Sequence, residues 1–417
     1  MAHQPHKIPW DLIASLLRWS DGTSGDYVRN SKSLPSCPFR TPRRKLSEFS
    51  RIVSDLLEEA VASARAKYPA RYDPPADNEV LLDDRIIRKI EDDVFQWRES
   101  PDAIETGVDK SPPIPREMRL TSAFLHDLRE HDCGNFTEVN GKGFFNLEII
   151  KLLIIHGEME PVLRACAHEN ATIGKWERVG RCHCRTGTYD AGWDMLHRHA
   201  LSAYLSLNII YCLPEFWDPA AGGKPEKDYR DTRTYQAMLR DCTAPSTTSE
   251  VVTYPHRNFF DIAPDLFPTF EASVADKERW RNKLDFCSQR GTIKKKHYGI
   301  LPFDDFITLE NPRPQHIPDA SDVTIVQGIL LQYLPFELVL LVMEGARYHA
   351  KRSLTIPHDP LHPLNRKALD EYLVHCWQIL VRCRMMDKEI DPYGSKWYSN
   401  ISYAMRRLWE FRDPQGA

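Results

Sequence analysis

Apolar residues recur along this chain mainly at steps of three and four, the spacing that gathers side chains on one face of a helix. The longest clean run is Leu369, Leu373, Cys376, Leu380 and Cys383. It closes a stretch from Leu331 to Ile390 that opens with an apolar segment to Met343 and crosses a proline-rich strap. Earlier, Ile8–Trp19 predicts a short helix. Thr41-Pro42 supplies a cap and a first-turn proline for a helix lasting to about Tyr68, with Leu46, Phe49, Val53, Leu56, Ala60 and Val61 inward. Leu82, Ile86, Ile90, Val94 and Trp97 share one face of a helix over Leu81–Arg98. Further helices are expected over Met118–His131, Phe144–His156, Pro161–His168, Trp193–Leu213, Asp228–Asp241, Phe270–Gln289 and Trp397–Phe411. The second of these is almost wholly apolar on its last two turns and therefore central.

Proline and glycine clusters punctuate the pattern. Residues 99–116 and 214–228 read as linkers, and 297–320 as an irregular, proline-punctuated connection. They divide the chain into helical regions at 1–100, 116–213 and 229–417, packed as one or two composite domains. Glu250-Val251-Val252-Thr253-Tyr254 is the single strand-like run. The expected fold is therefore all-α, an irregular multi-helix assembly with long proline-rich loops and at most one short hairpin.

Composition adds boundaries. A 417-residue chain with 42% hydrophobic and 27% charged residues can bury a sizeable core. A net charge of -4 argues against nucleic acid as a partner, and Arg43-Arg44-Lys45 and Lys294-Lys295-Lys296 read as solvated patches. Ten cysteines are ordinary density, and Met1–Pro9 is polar without an apolar core, so an intracellular protein, cytoplasmic or nuclear, with reduced thiols is expected. The most apolar window, Ile325–Met343, contains Gln327, Gly328, Gln332, Pro335 and Glu337. It therefore predicts a buried helix pair and no membrane span.

Several groups suggest chemistry. Cys166-x-His168, Cys182-x-Cys184 and His197-x-His199 supply donors of the type zinc takes, with Cys182, Cys184, His168 and His197 as the candidate metal ligands. The spacings are not those of common zinc modules, and His197 and His199 would face opposite sides of a helix. His126-Asp127 and His131-Asp132, with His156 beyond, are similar to the His-Asp pairs of HD-type phosphohydrolases. On a helix, however, His126 and His131 would diverge by about 140 degrees. Cys376-x5-Arg382 matches the string of tyrosine-phosphatase loops, but its intervening residues are helix formers without glycine. Asp83-Asp84, Asp92-Asp93 and Asp304-Asp305 are similar to terpene-cyclase acid clusters and are accounted for by charged helix faces. His358 and His362 stand in a strap held extended by Pro357, Pro360 and Pro363, with Ile356 and Leu361 laid on the core. No G-x-S-x-G, P-loop, G-x-G-x-x-G or H-E-x-x-H occurs, which removes the commonest hydrolase, nucleotide and protease classes.

Leu334-Pro335-Phe336-Glu337-Leu338, followed by Leu341 and Val342, resembles the opening of an F-box. That resemblance implies docking on the adaptor subunit of a cullin-type ubiquitin ligase through Leu334, Pro335, Leu338 and Val342. Cys376-Trp377-Gln378-Ile379-Leu380 is similar to the close of the motif, although the gap is longer than an F-box has and the segment is C-terminal. Leu334–Met386 is also similar to the C-terminal part of filamentous-fungal proteins of no assigned activity, in which an LPxELV-type helix precedes a proline strap and a Cys-Trp helix. The reading that follows is an intracellular helical protein acting through protein contacts. The alternative is a metal-dependent enzyme, HD-type or zinc-dependent, using His, Asp and Cys residues between 126 and 199.

Overall fold

A computed structural model describes residues 5, 7–17, 42–98, 114–128, 140–177, 192–221, 227–244, 251–262, 302–310, 317–346, 348–350, 352–391 and 397–409. The architecture is all-α, and no strand occurs among the described residues beyond an isolated antiparallel bridge between Val80 and Leu120. In chain order the helices are α1 Trp10–Ala14, α2 Pro42–Arg65, α3 Asp84–Arg98, α4 Gly141–His156, α5 Glu160–Cys166, α6 Ile173–Glu177 and α7 Asp194–Tyr211. They continue as α8 Arg233–Thr243, α9 Tyr254–Phe260, α10 Phe303–Glu310, α11 Ala320–Leu330, α12 Phe336–Gly345, α13 Arg366–Ile390 and α14 Tyr398–Trp409. The 270–289 helix and most of the 99–116 linker lie outside the described residues.

The packing centre is where α13 crosses α7 and α2, with α14 laid against α2 and α7 and α8 against α7. Each element reaches it for a reason visible in its pattern. Leu46, Phe49, Val53, Leu57 and Val61 line the buried side of α2, while Leu56 and Ala60 sit half-buried at its edge. Leu369, Leu373, Cys376, Leu380 and Cys383 of α13 are all inside, as their spacing requires. From Phe145 to Ile155, α4 is buried on every side, including Glu148 and Lys151, whose charges meet at 2.6 Å. The strap lays Leu361 in the core and leaves Ile356 half-buried.

α4 ends at Gly157, in the left-handed region at φ 78°. The N–H of Glu158 returns to Leu153 O at 2.9 Å, and Arg382 Nη1 donates to Ile154 O at 3.0 Å and Ile155 O at 2.9 Å. Carbonyls that every helix leaves open at its C-terminus are thereby filled from α13.

Three sequence expectations are corrected. Met118–His131 is not one helix: Arg116–Arg119 and Thr121–Leu125 are 3-10 turns, and 126–128 carries no helix. Backbone pairing has taken the place of the helix there, since Leu81 N donates to Arg119 O and Thr121 N to Glu79 O, both at 2.9 Å. The strand-like run at 250–254 contains a 3-10 turn, Val251–Thr253, leading into α9. Pro255 cannot donate to a sheet ladder and suits a helix first turn. Within 297–320, Phe303 and Phe306 are buried on one face of a helix, α10.

Candidate functional site

Buried polar groups are the usual place to look for chemistry, and one cluster stands where α6, α7, α13 and α14 meet. The backbone N–H of Trp193 donates to Glu177 Oε2 at 2.8 Å, closing the ends of the 178–191 stretch. Asp387 accepts from the indoles of Trp193 and Trp397 at 2.8 and 3.2 Å. His197 lies against Trp397 with ring centroids 3.8 Å apart, and its Nδ1 is 3.9 Å from Asp194. Its Nε2 is buried with no hydrogen-bond partner among the described residues. Burial pushes the Glu177 carboxyl up to about 8 and raises Asp387 as well.

These groups do not converge on a metal. Among the described residues, no group of three or more His, Cys, Asp and Glu side chains is arranged to hold one. Of the four sequence-predicted ligands, Cys182 and Cys184 lie outside the described residues. His168 has both ring nitrogens engaged, Nε2 with Asp77 Oδ1 at 3.1 Å and Nδ1 with the backbone N–H of Asn170 at 3.1 Å. His197 faces Trp397 and Asp194 and shares no partner with His168.

The other candidate constellations resolve into structure. Asp127 holds Lys175 at 2.8 Å, and His126 offers its carbonyl to Trp176 Nε1 at 2.6 Å; His131 and Asp132 lie outside the described residues. Cys376 is fully buried beside Tyr372. Burial pushes its thiol up to about 12, and Arg382 is turned away to the end of α4. Asp83 accepts from Ile86 N at 2.8 Å, and Asp304 and Asp305 stand in the first turn of α10, so these are helix-start acids. Tyr372 O–H meets His256 Nδ1 at 2.6 Å in a fully buried pair. A groove of about 710 Å³ between α2 and α13 is lined by Arg65, Tyr68, Met385, Lys388 and Glu389. Its cations are already paired, Arg65 with Glu389 and Lys388 with Glu58.

The feature without such an account is at the surface. α11 and α12 form a helical hairpin whose only substantial packing among the described elements is with each other. Asp319 starts it with a reciprocal capping box to Asp322 and is ion-paired to Arg352, whose N–H also reaches Pro318 O at 3.0 Å. Beyond that base nine large apolar side chains stand largely in water. Ile325 is 57% exposed, Ile329 51%, Tyr333 79%, Phe336 51%, Leu341 61% and Val342 46%. Leu331, Leu338 and Leu340 are similarly open, and Val339 is the one fully buried residue of α12. The expected buried helix pair is therefore an exposed one. Among the four F-box-like positions, Leu338 and Val342 are exposed and Leu334 is half-buried, while Pro335 is exposed and forms the N-cap of α12.

Compared with known proteins, residues 12–411 match the family described as Gramillins biosynthetic cluster protein GRA5. The chain belongs to that family. No curated protein and no solved structure matches it. In this GRA5-family chain the matched span takes in the packed helices, the buried polar cluster and the apolar hairpin alike. Its exposed hairpin is what sequence reasoning missed. The available signal was that α12 is short and apolar on nearly every side, which marks burial without saying against what.

Proposed function

We propose that this GRA5-family chain serves a biosynthetic cluster as a protein that acts through protein contacts, made by the outer face of the α11–α12 hairpin. The observation that carries the reading is the run of exposed apolar side chains from Ile325 to Val342. Large contiguous apolar patches are rare on monomers and mark interaction surfaces. Among the described residues Asp83, His168, Glu177 and Arg382 support the same reading, because they are occupied by helix ends, loop ends or an ion pair.

The face includes Leu338 and Val342, the positions through which the resemblance to an F-box opening implies contact with a cullin-type adaptor. The second half of that resemblance, Cys376, lies in the core of α13, so α12 is the part available to any partner. The test is Leu338→Asp with Leu341→Asp, introduced into the host that carries the cluster. Both side chains are exposed, so the variant should accumulate and fold normally while the cluster's metabolite falls by about tenfold or more. Undiminished metabolite from a folded variant would refute the contact reading.

A further inference from the structure

We infer that Arg352 is a two-position switch at the root of the hairpin: paired with Asp319 it zips the two ends of α11–α12 together, and drawn instead to Asp261 it lets them part.

Three segments meet at that root. Pro318 and Asp319 lead into α11, Arg352 and Ser353 lead away from α12, and Asp261 ends α9. α9 belongs to the core, since Phe259 stacks on Tyr372 of α13 with ring centroids 3.7 Å apart. Asp261 stands in the left-handed region at φ 57°, is buried, and accepts the N–H of Ser353 on Oδ1 at 3.0 Å. Arg352 fastens the other two segments: its backbone N–H donates to Pro318 O at 3.0 Å, and its guanidinium pairs with Asp319 Oδ2.

The guanidinium serves one carboxylate at a time. Arg352 Nε and Asp261 Oδ2 are both buried without a hydrogen-bond partner among the described residues, so the pair with Asp319 leaves the second carboxylate unanswered. Arg352 is nonetheless close enough to act on the Asp261 charge, and Asp319 acts on it in the opposite sense. A buried donor and a buried acceptor are each costly to leave unmade, and a charge-assisted bond between them is strong. They stand ready for a second arrangement, in which Arg352 turns from Asp319 to Asp261. That arrangement gives up the ion pair fastening the start of α11. Among the described elements α11 and α12 pack substantially only on each other, so the fastening at the base matters.

The proton on Asp261 sets the choice. Burial pushes its carboxyl up to about 7 from the ordinary 3.8. A neutral Asp261 leaves Arg352 to Asp319, whose own pKa is held down by the N–H of Asp322 and by Arg352; an ionised Asp261 competes for the guanidinium. The other charged and titratable groups around the root are Asp322 in the capping box, Arg257 one turn back in α9, and His358 of the strap. Arg257 lies over the Tyr254 ring at 5.0 Å. His358 Nδ1 meets Phe260 O at 3.3 Å, and burial lowers its pKa, so it is neutral near pH 7. The zipped arrangement holds the Asp261 proton up to about 7 and the parted one releases it at the ordinary value. Parting is therefore favoured as pH rises between those values and levels off above them. Where the hairpin contacts a partner, the switch sets how firmly the apolar face is presented, and that consequence alone rests on the contact reading.

Amide exchange of the full chain without any partner, each rate divided by the intrinsic rate at that pH, tests the switch. The opening constant at Arg352 N–H and across 320–330 should rise by about tenfold or more from pH 5 to pH 7 and level off by pH 8. Asp261→Asn keeps an oxygen for Ser353 N and should exchange slowly at every pH. Asp319→Asn still caps α11 but surrenders the ion pair, and should exchange fast at every pH. A smaller rise in the unaltered chain overturns the switch. So does a pH dependence that survives in either variant; survival in Asp319→Asn would leave Asp261 a buried acid with no bearing on Arg352. If one variant does not fold, the other and the unaltered chain decide. The contact reading is untouched by all of these results, because no partner is present.

Discussion

The indole N–H of Trp193 donates to Asp387 Oδ1 at 2.8 Å, joining residues 194 positions apart in the chain. Trp397 reaches Oδ2 of the same carboxylate at 3.2 Å, so one side chain ties the start of α7 and the approach to α14 to the end of α13. Burial raises the Asp387 pKa while the two indoles and nearby His197 lower it.

Removing that carboxylate should therefore be costly. Asp387→Ala leaves two indole donors buried without an acceptor, at about 1–3 kcal/mol each. Equilibrium urea unfolding should show a loss of about 2–5 kcal/mol, with Asp387→Asn losing less because its amide oxygen still accepts one bond. A loss under about 0.5 kcal/mol for the alanine variant would mean that water replaces the carboxylate.

Glu177 makes stability depend on pH. Its folded carboxyl keeps a proton up to about 8, first because of burial, whereas the ordinary value is 4.5. A raised folded pKa gives a contribution that is whole below the unfolded value and is lost as pH rises through the folded one. Asp261, pushed by burial up to about 7, acts in the same direction. The urea midpoint should fall between about pH 5 and pH 8.5, and Glu177→Gln, whose carbonyl still accepts from Trp193 N, should flatten that fall. Equal slopes for the two proteins would show that Glu177 is not the group responsible.

How much of this was legible in the sequence depends on what each residue had to meet. The all-α fold and the burial of Leu369, Leu373, Cys376, Leu380 and Cys383 follow from period alone, because one helix face carries them all. Asp83-Asp84 read as charges on a helix face, and the structure sharpens this to a local cap, with Ile86 N donating to Asp83. The Asp387 junction could not be read locally, since it joins residues 193, 387 and 397 and only packing brings them together. The helix expected over Met118–His131 is absent from 118–128 because Arg119 and Thr121 pair with residues 79–82, and that competition lies outside any local window. Leu338 and Val342 were expected inside for a related reason: an apolar helix states that it must be covered, not by which chain.

Gly157 and Arg382 should prove coupled. A Cβ at Gly157 would lie 2.7 Å from Arg382 Nη2, and the left-handed backbone itself costs an L-residue about 1–2 kcal/mol. Gly157→Ala should lose at least that amount, with an addition from displacing the guanidinium off Ile154 O and Ile155 O. In an Arg382→Met background the addition should vanish, leaving a coupling of about 0.5–3 kcal/mol in a double-mutant cycle. Additive losses would show that Arg382 shifts aside freely.

Val339 and Leu341 offer the sharpest contrast within one helix. Val339 is fully buried and Leu341 is 61% exposed, two positions along α12. Truncating a buried valine removes its packing and leaves a void, worth at least about 1 kcal/mol, whereas an exposed side chain away from other features changes stability by about 0.5 kcal/mol or less. Because the hairpin packs mainly on itself, the loss should show locally before it shows globally. Val339→Ala should speed amide exchange across 336–345 by about tenfold, and Leu341→Ala should leave it unchanged. Equal exchange for the two variants would place Leu341 and Val339 in the same environment and contradict the outward face on which the proposed contact depends.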